Sequence, residues 1–146
     1  GVAILKDQKF MTLTDSDGLS DELVSSVLQD PRGHIWIGTD GGGLNRYDGG
    51  HVSVFTEKQG LTSDTILSLA ADAKGNLWVG TPDGLNRMEH GRFTAAGATD
   101  LLPDEFVRSL LADSDGSLWV GTRHGLAHID GGHANTYTQA DGLAND

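Results

Sequence analysis

The sequence predicts an all-β fold, a partial β-propeller of about three and a half repeats whose blades each hold four antiparallel strands. Three observations predict it. Tryptophans at Trp36, Trp78 and Trp119 lie 42 and 41 residues apart. Each stands six residues after an aspartate (Asp30, Asp72, Asp113) and two before a Gly-Thr pair (Gly38-Thr39, Gly80-Thr81, Gly121-Thr122). Between these anchors the chain is punctuated every few residues by turn formers, with 21 glycines among 146 residues. A fixed period in the low forties marks a solenoid, a propeller or another array.

The units follow in order. Residues 1–14 align without a gap on the second half of a repeat, "GVAILKDQKF" on "GLNRMEHGRF", and are expected to form the outer half of a blade. Complete blades are expected at 15–56, 57–97 and 98–138, with a connector to a further blade at 139–146. Each blade opens on a connector: "DSDGLSDELV", "EKQGLTSDTI" or "ATDLLPDEFV".

The inner segments follow, "ELVSSVLQ", "TILSLAA" and "EFVRSLLA". Their apolar residues at i,i+3 also suit a helix, which would make the chain a helix-plus-hairpin solenoid. Their length, about eight residues between breakers, favours strands, and extended conformation is expected at Val24–Leu28, Ile66–Ala70 and Val107–Ala112. "DPRG", "DAKG" and "DSDG" then read as tight turns in which Asp bonds backbone N–H groups.

"HIWIGT", "NLWVGT" and "SLWVGT" read as strands buried on both faces, because neighbouring positions on opposite faces are all apolar. Trp36, Trp78 and Trp119 are expected to pack between blades, and Thr39, Thr81 and Thr122 to satisfy the backbone of the next turn. "LNRYD", "LNRMEH" and "LAHIDG", then "HVSVFT", "RFTAAG" and "HANTYT", supply the two outer strands.

Composition bounds the function. The net charge of −11 disfavours a nucleic-acid partner, since phosphate binding draws on Lys and Arg. There is no cysteine, so thiolate and disulfide chemistry is excluded. No apolar run approaches the roughly 20 residues of a membrane span, so this segment is expected to make no membrane contact. "DSDG" at Asp15–Gly18 and Asp113–Gly116 hints at calcium, but its glycine comes at position four rather than six of a calcium loop. His124 and His128 have no evident third ligand. No metal, cofactor or catalytic residue is therefore expected.

Repetition itself argues for structure over chemistry, because a turn is needed in every blade and a catalytic group only once. The candidates for binding are the residues that do not repeat. Arg123 and His124 stand where the other units carry Asp40-Gly41 and Pro82-Asp83, and Arg108 where they carry Ser25 and Leu67.

The stretch "GLSDELVSSVLQDPRGHIWIGTDGGGLNRYD" resembles the two-component regulator propeller repeat. The third unit departs at Leu101 and at Ala127-His128, and the first carries an additional glycine in Gly41-Gly42-Gly43. The resemblance implies the extracytoplasmic, periplasmic sensor propeller of a hybrid two-component histidine kinase, several members of which recognise sugar fragments. The Asp-x-x-Gly-x-Leu-Trp turn also resembles the Asp-box of sialidase propellers, taken here as a shared turn. A ligand sensor with a possible carbohydrate ligand is the first expectation. An interaction or self-assembling scaffold is the second, and a lyase- or hydrolase-type propeller the third. Three blades and a half fall short of the 4–8 of a closed ring. The chain is accordingly expected to be a homo-oligomer or part of a larger propeller.

Overall fold

A computed structural model describes residues 1–6, 9–96 and 102–142. Residues 98–101, where the third complete unit was expected to open, and 143–146 of the final connector lie outside the described residues. The described residues hold fourteen strands and no α-helix. A two-stranded sheet of β1 (Val2–Lys6) and β2 (Lys9–Leu13) comes first. Three four-stranded antiparallel sheets follow, each a meander in chain order. The first is β3 (Val24–Gln29), β4 (Ile35–Thr39), β5 (Leu44–Asp48) and β6 (His51–Phe55). The second is β7 (Ser68–Ala71), β8 (Leu77–Thr81), β9 (Gly84–Glu89) and β10 (Arg92–Ala95). The third is β11 (Val107–Ala112), β12 (Leu118–Thr122), β13 (Gly125–Asp130) and β14 (His133–Tyr137).

The segments that suited either a helix or a strand are strands. Each pairs with the tryptophan strand after it, with Leu28 opposite Trp36, Ala70 opposite Trp78 and Leu111 opposite Trp119. In the second unit the strand begins at Ser68, two residues later than expected. Ile66 and Leu67 bond to different sheets: the Ile66 N–H donates to the Thr39 carbonyl at 2.8 Å and the Leu67 N–H to that of Gly80 at 2.8 Å. This pair joins the first sheet to the second.

The core lies between sheets. Trp36, Leu44 and Phe55 of the first sheet bury against Leu61, Ile66, Leu77, Val79 and Phe93. On the opposite face of the same β4 strand, Ile37 buries against Val2, Ile4 and Leu13 of the two-stranded sheet. The next interface repeats the pattern: Ala70 and Leu85 pack with Val107, Leu118, Val120 and Ala127, and Trp78 lies partly buried at its edge. The tryptophan strands of the first two sheets are thus covered on both sides, as their unbroken apolar runs required.

The connectors are pinned by a buried asparagine. The Ser20 N–H donates to Asn45 Oδ1 at 3.0 Å, and Asn45 Nδ2 donates to Ser20 Oγ at 2.8 Å. Thr62 and Asn86 repeat this at 3.1 and 2.9 Å. Asn45 and Asn86 are both fully buried, so their amides need such partners, and Asn86 Nδ2 donates to the Val79 carbonyl as well, at 3.3 Å. In the third repeat the two positions are Pro103 and Ala127. Proline has no N–H to give and alanine no amide to receive it, so both halves of the bond are missing together and neither residue leaves the other's partner group unpaired.

Candidate functional site

Antiparallel pairing places the connectors and the β4–β5, β8–β9 and β12–β13 turns on one rim. The Asp turns and the β5–β6, β9–β10 and β13–β14 turns lie on the other. The three sequence candidates meet on the connector rim of the third sheet. Arg108 sits at the start of β11, and Arg123 and His124 form the β12–β13 turn. The guanidinium carbon of Arg123 lies over the Phe106 ring at 5.1 Å, and that of Arg108 over the same ring at 5.5 Å. Arg123 grips Asp104 with two donors, Nε to Oδ2 at 3.0 Å and Nη2 to Oδ1 at 3.4 Å. His124 Nδ1 lies 3.3 Å from the same Oδ2.

Asp104 is the organising residue. Its side chain is 14% exposed, against 51% for Arg123 and 60% for His124. Burial pushes its pKa up. The hydrogen bond and charge of Arg123, the Glu105 N–H and His124 outweigh that and hold the carboxyl below its ordinary range. Arg108 has no ion pair among the described residues. Sequence comparison missed Asp104 and Phe106. Asp104 repeats the acidic Asp21 of the first connector, so it did not look distinctive; the signal was the arrival of basic residues in the facing turn. Beside this patch lies a cavity of about 270 Å³ whose lining includes Asp83, Asp104, Glu105 and Pro103. That is near the lower end of small-ligand pockets, roughly 300–1,000 Å³.

The repeated residues form clamps. Asp30 Oδ1 accepts from the Arg32 and His34 N–H groups at 2.9 and 3.0 Å, and Oδ2 from Trp36 Nε1 at 2.9 Å. Asp72 does the same with Lys74, Asn76 and Trp78 Nε1, at 3.0, 2.8 and 3.1 Å. In the third repeat the clamp divides: Asp113 accepts from the Ser114 N–H and, at 3.4 Å, from Trp119 Nε1, while Asp115 accepts from the Ser117 N–H. The direct aspartate–indole bond was not foreseen; its signature is the constant six-residue spacing. Thr39, Thr81 and Thr122 each donate to the carbonyl of the glycine that closes the following turn. Gly38, Gly80 and Gly121 sit where a side chain would collide with a serine of the adjacent inner strand.

Burial raises the pKa of Asp30 and of Asp72. The Trp36 indole and His34 N–H at the first, and Asn76 and the Trp78 indole at the second, more than offset it, so both are held below the ordinary carboxylate value of about 3.9. A depressed folded-state pKa contributes stability that is complete above the unfolded value and is lost as pH falls through the folded one. Stability is therefore expected to decline from about pH 4 downward. Asp72→Asn should be less stable at neutral pH and decline less steeply in acid, measured by denaturant melts across pH. An unchanged acid slope in this variant would refute the assignment.

Three segments, 18–41, 60–83 and 101–124, match the family described as two component regulator propeller. No curated protein matches the chain at a significant level. Among solved structures, the chain is similar to the extracellular domain of a putative hybrid two component system from B. thetaiotaomicron, at 26% identity and a TM-score of 0.79. The likeness covers 90% of this chain but only 19% of that one. It also resembles a catalytically inactive virginiamycin B lyase from Staphylococcus aureus with quinupristin. There the identity is 13%, the TM-score 0.69, and the match covers 90% of this chain and 46% of the lyase. A third neighbour is the extracellular domain of a putative one component system from B. thetaiotaomicron, at 20% identity and TM-score 0.56, covering 88% of this chain and 25% of that one. The two matches under 25% identity concern the fold alone. No helix among the described residues is long and apolar enough to cross a membrane. With three copies of one repeat laid out as three successive four-stranded sheets, the chain belongs to the two component regulator propeller family, as a partial propeller related to the extracellular domains of two-component sensors.

Proposed function

We propose that the chain is part of the ligand-reading, extracytoplasmic and periplasmic propeller of a two-component signalling protein, that it has no catalytic activity, and that its ligand is a carbohydrate. The observation that carries this reading is the likeness along nine-tenths of the chain to the extracellular domain of a hybrid two component system. The connector rim of the third sheet supports it. Guanidinium and imidazole donors of Arg123 and His124 hold Asp104, which lines the neighbouring cavity together with Asp83 and Glu105, a mixture suited to hydroxyl-rich ligands. The likeness to a lyase, at 13% identity, concerns the fold alone, which many chemistries share. The test is a thermal-shift screen of the chain against oligosaccharides, because a ligand that binds only the folded state raises its melting temperature. The expected result is a shift that Arg108→Gln with Arg123→Gln abolishes. A shift that survives both substitutions moves the site elsewhere, and no shift with any saccharide overturns the ligand class.

A second reading, self-assembly, is favoured by the outer face of the third sheet. Leu111 is 63% exposed and Tyr137 39%, around the half-exposed Trp119 and Leu126. The corresponding residues of the first sheet, Leu28, Trp36, Leu44 and Phe55, are covered by the second sheet. The structure thus holds a template for what covers such a face, a sheet of the same repeat, and a second copy of this chain is the proposed occupant. Light scattering at micromolar concentration is expected to show an oligomer, and Leu111→Glu to dissociate it. A folded monomer under those conditions rules this reading out.

A further inference from the structure

A different feature lies on the opposite rim. Between the Asp turns of the first and second sheets runs a groove of about 620 Å³. Arg32, Arg46, Lys74 and His90 line it, with Asp30 and Met88 among the remaining walls. The chain carries a net charge of −11, so three cationic side chains converging on one groove run against its average.

The carboxylate in that groove is already engaged. Asp30 receives the Arg32 and His34 N–H groups on one oxygen, and the Trp36 indole with His34 Nδ1 on the other. Arg46 is not similarly served. Its guanidinium carbon lies 5.5 Å from the ring centroids of both Trp36 and Phe55, and its Nε is buried with no hydrogen-bond partner among the described residues. The next repeat shows the contrast. Arg87 stacks in the same way on Trp78 at 5.6 Å, but Glu89 pairs with it. In the first repeat the residue equivalent to Glu89 is Asp48, and its carboxylate lies 3.6 Å from His34 Nε2 instead. A half-buried guanidinium with an unmet donor is costly unless something supplies the acceptor.

A second, independent observation points to the same groove. The β5–β6 and β13–β14 turns carry glycine at a left-handed position, Gly49 at φ +58° and Gly131 at φ +59°. The β9–β10 turn carries His90 there, at φ +52°. A non-glycine residue is disfavoured in that conformation, and this one places an imidazole in the lining of the groove.

We infer that this groove binds a small ligand bearing a carboxylate, sulfate or phosphate group, with Arg46 as the deep donor and Arg32 and Lys74 closing over the anion from the two turns. The inference does not depend on the connector-rim reading. The experiment is calorimetric titration of the chain with glucuronate, inorganic sulfate, inorganic phosphate and, as the neutral comparison, glucose. The three anions separate a sugar acid from a free oxyanion. At least one anion is expected to bind, more weakly as salt rises, with glucose silent. Arg46→Gln is expected to weaken binding by roughly tenfold or more, the loss of one charge-assisted bond. Because Arg46 also packs on two rings, a second variant, Arg32→Gln with Lys74→Gln, removes only exposed charges and should weaken binding by a similar factor. Arg108→Gln with Arg123→Gln should leave it unchanged. Absence of binding by all three anions, binding indifferent to the Arg32/Lys74 pair, or loss only in the Arg108/Arg123 variant would each overturn the inference.

Discussion

Trp36→Ala is expected to destabilise the protein by about 3–5 kcal/mol, the range for truncating an aromatic in a packed core. The indole is 2% exposed, 5.6 Å from the Phe55 ring, and packed against the face of the second sheet that presents Leu77 and Val79. Trp78 stands at the same place in the second sheet but is only partly buried, so its truncation should cost less. Trp119 comes last. It stacks on His128 at 4.0 Å but, among the described residues, no sheet covers it, and the loss there should be about 1 kcal/mol, the worth of an aromatic pair. All three substitutions also remove an indole–aspartate bond, so that contribution does not set the ranking. Trp→Phe at each site isolates it by keeping most of the ring. Chemical denaturation of the series settles the matter: equal losses at the three sites would mean that packing between sheets is not what the tryptophans supply.

Gly80→Ala is the second large effect. Gly80 is not in the left-handed region, so backbone conformation gives alanine no difficulty. Space does. A Cβ there would lie 2.6 Å from Val107 Cγ1 and 2.9 Å from the Val107 carbonyl oxygen, and would collide with Ser68 Oγ. Val107 begins the inner strand of the next sheet, so the methyl group would wedge two sheets apart. Overpacking of this kind costs about 1–3 kcal/mol, and here backbone atoms are among those displaced. Gly121→Ala is the control: its close neighbours all belong to Ser109 of its own sheet. Removing that hydroxyl with Ser109→Ala should restore most of the stability at Gly121, whereas Ser68→Ala should restore little at Gly80. Full rescue of Gly80→Ala by Ser68→Ala would show that the approach of the next sheet is not the constraint.

Much of this architecture was legible because each repeat must carry its own instructions. A sheet that buries both faces needs an apolar strand closed by a small residue, and a turn before it that satisfies its own N–H groups. Those demands recur every 41 or 42 residues, so they appear as a period. Where the demand lapses, the sequence lapses with it. Pro103 and Ala127 replace a hydrogen-bonding pair together, which becomes intelligible only once Ser20–Asn45 and Thr62–Asn86 are seen to be partners. Local sequence was less informative at the turns. The tetrapeptide Asp-Ser-Asp-Gly is a 3-10 turn at Asp15–Gly18, entered through Thr14, whose N–H donates to Asp17 Oδ2 at 2.9 Å. At Asp113–Gly116 it closes a β-hairpin. Four residues do not choose between these conformations; the strands on either side do.

The sequence by itself therefore determined the repeat, the strand content, the aspartate and tryptophan positions and the basic substitutions of the third unit. Tertiary structure alone decided which tryptophan is covered, because burial depends on whether a further sheet stacks on that face. It alone gathered Arg108, Arg123 and His124 around Asp104 and Phe106, since strand pairing brings residues distant in the chain to one rim. It alone left Arg46 without the carboxylate that Arg87 has, because Asp48 lies against His34 instead. Periodicity follows from what every sheet needs, whereas a binding site follows from what one sheet places beside another, and that is set only when the sheets pack.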